Sequence, residues 1–169
     1  MKTSLFTYVD MYTRILAAAD HLLTKGVETA ELRGVSEQEM LDWRLIEDMH
    51  PLRFQIMVIC NFSKQWPARA AGIPLPDLIE DRLDVAGFRL AIAASRAFLG
   101  SLQEVQFAGR DDVVIRYAVS PELEADLPIA RWMSVFATTN MFFHLSTAYA
   151  ILRHHGARIG KADLFPLGL

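Results

Sequence analysis

Between Arg131 and Arg153 the chain carries no Asp, Glu, Lys or Arg. A helix of roughly twenty uncharged residues is long enough to cross a bilayer. The same run, however, holds Ser134, Thr138, Thr139, Asn140, His144, Ser146 and Thr147. So many polar groups, with no second apolar segment to accompany them, do not suit a lone span facing hydrocarbon. The run reads instead as the buried helix of a soluble bundle, and no membrane association is expected. An amide and an imidazole inside a core need partners or a ligand, because an unpaired buried polar group costs roughly 1–3 kcal/mol. A site is therefore expected here.

The rest of the chain supplies the partners such a helix needs. Leu5, Val9, Tyr12, Leu16, Ala19 and Leu23 recur at spacings of four and three, one apolar stripe on a first helix expected to end at Lys25 and Gly26. Ser36 and Glu39 are spaced as a capping box opening a short helix through Trp43. A second long helix opens at Met49 or Pro51 and runs through Phe62, until Pro67 kinks or ends it after Ser63. Its apolar residues cover most of the circumference, more than one stripe requires, which points to a second subunit against one side. Asp77 and Glu80 are spaced to cap a third helix carrying Leu83, Ala86, Leu90, Ala93, Ala94, Ala97 and Leu99. The helical pattern then lapses: Gly109, Asp111 and Asp112 mark a turn, and Val113 to Val119 reads as a strand. Pro128 reopens a helix that continues to His155, where Gly156 stops it. This is an all-α four-helix bundle over residues 1–169 as one domain, with a long crossover holding a small β element between the third and fourth helices.

More than half of the residues are apolar and the formal net charge is −3. Neither disorder nor nucleic-acid binding fits that balance, since no basic stripe interleaved with aromatics appears. Cys60 is the only cysteine, so no intrachain disulfide can form and a cytoplasmic location is expected. Met1 to Asp10 lacks the apolar core and cleavage site of a signal peptide. There is no phosphate loop, Ser–His–Asp pattern or paired-cysteine spacing.

Two stretches resemble a known family. Asp48, Met49, His50, Pro51 and Leu52 with Gln55, then Cys60 to Lys64 and Ala68 to Gly72, are similar to the second helix of an uncharacterised bacterial family in the DinB-like superfamily. Phe142 to His144, Thr147 to Gly156, Gly160, Lys161 and Asp163 are similar to that family's last helix and tail. The resemblance implies a DinB-like four-helix bundle, often dimeric, in a superfamily whose metal-dependent members include thiol transferases. It implies no activity for this branch.

Metal-binding members of that superfamily place one histidine on the second helix and two, four residues apart, on the last. Residues four apart share a helix face, so both imidazoles reach one ion. Here Asn140 and Ala148 stand four positions either side of His144, Ile151 four before His155, and Ala150 four before His154. His144 and His155 share a face but lie roughly 16 Å apart along the axis, too far for one ion. His50, His144 and Asp48 make an incomplete set, so no metal or other cofactor is expected. The plainer reading of His144 is a core histidine bonded to Asn140, Gln55 or Asp48. Asp48 has its own plain reading as a helix cap, and Cys60 as an inert core thiol. The reading preferred here is a homodimer with a polar-lined pocket for a small ligand at Asp48, His50, Gln55, Asn140 and His144. A metal-dependent enzyme of the thiol-transferase or hydrolase type, with His50 and His144 as ligands, is the alternative, and a ligand-free scaffold is a third reading.

Overall fold

The computed structural model describes residues 4–168; Met1 to Thr3, part of the stretch read against a signal peptide, lie outside them. Its helices are α1 (Thr7–Arg33), α2 (Glu37–Leu41), α3 (Leu52–Ala71), α4 (Val85–Ser101), α5 (Ile129–Arg131) and α6 (Thr138–His154). A π-helical turn, Trp132–Ala137, joins α5 to α6. Strands β1 (Val114–Ser120) and β2 (Leu123–Pro128) form an antiparallel hairpin in the crossover between α4 and α5. Helices α1 and α3 pack on each other, and both touch α4 and α6, which flank them. The fold is a helical bundle with a small two-stranded sheet. Among the described residues no helix is long and apolar enough to cross a membrane.

Two expected helix ends are not ends. Helix α1 passes through Gly26 and stops at Gly34, whose φ of 68° provides the left-handed cap. Gly26 answers a different need: a Cβ there would stand 3.0 Å from Met40 Sδ and 3.1 Å from Leu152 Cδ2. Its missing side chain is what lets α2 and α6 approach. Helix α3 likewise continues through Pro67 to Ala71 and is capped by Gly72. The proline forfeits one backbone bond, but Trp66, Pro67 and Ala68 are all buried, and packing on that scale outweighs the loss.

Asp77 and Glu80 do not open a helix; Asp84 does, its carboxylate accepting from Gly87 N at 2.7 Å. The segment before it is an extended strap laid along α3 and tied down by that helix's polar side chains. Asn61 clamps Ile79 through both amide atoms (3.0 and 2.9 Å), Lys64 Nζ donates to Asp77 O (2.8 Å), and Gln65 Nε2 donates to Pro76 O. Arg53 reaches Asp81 O and Gln38 O and pairs with Asp42 at 2.7 Å. The strap and the neighbouring helices thus occupy the circumference of α3 that had pointed to a second subunit. Helix α4 also turns differently from expectation: Val85, Phe88, Ile92, Ser95 and Leu99 face inward, leaving Ala86, Leu90, Ala93, Ala94 and Ala97 exposed.

The charge-free run divides. Met141, His144, Leu145, Ala148, Ile151 and Leu152 are buried, whereas Val135, Phe142 and Phe143 are 59%, 47% and 58% exposed. Burial therefore explains only one side of this helix. Its outer face is uncharged and open, with Ser134, Thr139 and Ser146 beside Val135, Phe142 and Phe143, which the composition of the run could not distinguish from core.

Candidate functional site

His144 sits on the inner face of α6 and is 8% exposed. Its Nδ1 lies 2.7 Å from Gln55 Oε1, on the first turns of α3. Gln55 Nε2 donates to His50 O at 2.9 Å, which fixes the amide so that its oxygen faces the ring. An oxygen can only accept, so Nδ1 carries the proton and donates, and Nε2 keeps its lone pair. No described residue bonds that second nitrogen. Burial, reinforced by the nearby His50 charge, lowers the His144 pKa to about 4, so the ring is neutral at pH 7.

Aromatic rings frame it. His50, exposed, stacks on Phe54 with centroids 3.8 Å apart, and Phe54 lies 6.1 Å from the His144 ring. Phe143 meets the same ring edge-on at 5.2 Å. Thus His50, Gln55 and His144 come together, with Phe54 and Phe143 as neighbours that the spacing of polar residues did not mark. Asn140 does not join them: its Nδ2 donates back to Phe136 O at 3.0 Å. Asp48 is exposed, and it is not the helix cap either, because Pro51 occupies that position. Cys60 is fully buried and its thiol is pushed up to about 12 by that burial, which makes it inert. His155 is engaged elsewhere, stacked on Trp43 at 4.5 Å.

The donor set does not fit a resident metal of the superfamily's three-histidine type. Where a second last-helix ligand would stand is Ala148, wholly buried, and the described residues contain no group of three His, Cys, Asp or Glu able to hold an ion. What the arrangement can do is accept a hydrogen bond at Nε2 beside a second, exposed imidazole.

The bundle with its crossover hairpin has a DinB-like counterpart among solved structures. A crystal structure of a DinB family member from Shewanella denitrificans is similar over 93% of this chain and 88% of that one, with a TM-score of 0.84 and 28% identity. The chain belongs to the family DUF1993, a domain of unknown function, matched over residues 6–165. No curated protein matches the sequence.

Proposed function

We propose that this protein is a cytoplasmic homodimer that binds a small ligand at His144 without a resident metal. The observation that supports it is the Gln55–His144 bond, which leaves a neutral imidazole with one free lone pair. Such a nitrogen recognises a hydroxyl or amide donor, while Phe54 and Phe143 offer apolar contact to the body of the ligand. The π-helical turn immediately ahead of α6 is a second support, because such turns are costly and concentrate at functional sites. An exposed, uncharged face carrying Val135, Phe142 and Phe143 beside the site is the natural place for the second subunit.

Binding is tested by titrating phenols and small amides while following the ring signals of His144 and His50 by NMR. Saturable shifts lost in Gln55→Leu are expected; a panel that moves neither ring sinks the ligand reading. Stoichiometric zinc, nickel or iron in protein purified without an affinity tag, and lost in His144→Ala, would replace it with the metal-dependent one. For the dimer, sedimentation velocity at micromolar concentration is expected to give two copies for the wild type and one for Phe143→Glu. A monomeric wild type rules the dimer out.

A further inference from the structure

A cavity of about 250 Å³ lies further along α3, between that helix, the strap and the hairpin. Its walls are Met57, Val58, Phe62, Trp66, Leu78 and Tyr117, and Arg69 stands among them. It shares no residue with the His144 site.

The polar groups here are nearly all committed. Both amide atoms of Asn61 are bound to Ile79. Gln65 Nε2 donates to Pro76 O, and its Oε1 accepts from Arg69 Nη1 at 2.8 Å. That relay holds the guanidinium over the rings of Trp66 and Tyr117, at 5.3 and 5.4 Å from their centroids. Among the described residues no carboxylate pairs with Arg69, and its Nε and Nη2 have no partner. Arg69 is half-buried and stays charged at any physiological pH. A half-buried, positioned cation with a free face and no counter-ion is complementary to a planar anion, which two parallel N–H groups bind as a fork. The aromatic and aliphatic walls specify what the anion must be attached to. The volume falls below that of a drug-sized pocket, so the ligand is small.

We propose that this cavity binds a small aromatic monocarboxylate, its carboxylate on Arg69 and its ring against Trp66, Phe62 and Tyr117. The test uses phenylacetate and its neutral isostere phenylacetamide as probes, read by the indole signal of Trp66 in heteronuclear NMR. In the wild type, phenylacetate is expected to shift that signal saturably and to bind about tenfold or more tightly than the amide. Arg69→Met is expected to erase the difference between acid and amide, and Leu78→Trp, at an exposed strap position, to fill the cavity and abolish both responses. If Arg69→Met loses its dispersed indole signals and does not fold, the wild-type comparison together with Leu78→Trp decides. No saturable shift in the folded wild type, equal affinity for acid and amide, or unchanged binding in Leu78→Trp each overturns the proposal.

Discussion

Trp66→Ala is expected to cost about 3–5 kcal/mol, a large share of the stability of a domain of this size. Trp66 is 1% exposed and stands at the centre of an aromatic cluster. Its ring lies 5.0 Å from Tyr117, 5.5 Å from Phe136, 5.7 Å from Trp132 and 6.4 Å from Phe62. Those neighbours come from three segments, β1, the π-helical turn and α3 itself, so they cannot collapse together into the space an indole leaves. The hairpin is anchored to this cluster, because Tyr117 is on β1 and Trp132 Nε1 donates to Ile115 O at 3.1 Å. Urea denaturation gives the loss, and a cycle with Tyr117→Ala is expected to show a coupling of about 0.5–1.5 kcal/mol. A total loss below about 1 kcal/mol would mean that the cluster is not part of the cooperative core.

How far the sequence foretells this molecule depends on whether a feature is local. The Ser36 cap is local, a hydroxyl accepting from Glu39 N three residues on, and it forms as read. Gly26 looks identical to a terminator in sequence, but its role is set by Met40 and Leu152, which arrive from elsewhere. Asp77 with Glu80 has the spacing of a cap, yet that segment is held extended by Asn61, Lys64 and Gln65 binding the strap to α3, and the helix opens at Asp84. On α4 alanines are interleaved with large residues, and burying Phe88 and Ile92 removes more apolar surface from water than burying Ala93 and Ala94, so the helix rotates to favour the former. Strand β2, Leu123–Pro128, carries two acids and a proline and shows little β character alone; it forms because β1 pairs with it. The site follows the same rule. Gln55 was one of three partners open to His144, 89 positions away, and only the packing of α3 on α6 selects it. Asn140 shared the helix with His144 and had an acceptor one turn back, and it took that nearer bond.

The same pair governs the expected response to acid. In the unfolded chain His144 takes up its proton near the ordinary value of 6.5, whereas in the fold it does not do so until about pH 4. Between those values the unfolded state binds the extra proton, so acid favours unfolding and stability falls as pH drops. The contribution is complete above pH 6.5, declines through the window, and is gone below about pH 4, up to about 3 kcal/mol in all. Two features oppose the cation: burial against Phe54 and Phe143, and the charge of His50. Gln55 does not counter them, since its oxygen already accepts from Nδ1 and the second nitrogen has no described acceptor. His144→Gln removes the titrating group at similar polarity. Urea midpoints measured from pH 7 to pH 4 are expected to fall more steeply for the wild type than for this variant, the gap between the two changing by up to about 3 kcal/mol. Carboxylates titrating in the same range are common to both chains and cancel in the comparison. Parallel curves would mean that His144 is protonated in the fold as readily as in the unfolded chain, and that burial does not hold the ring neutral below its ordinary value.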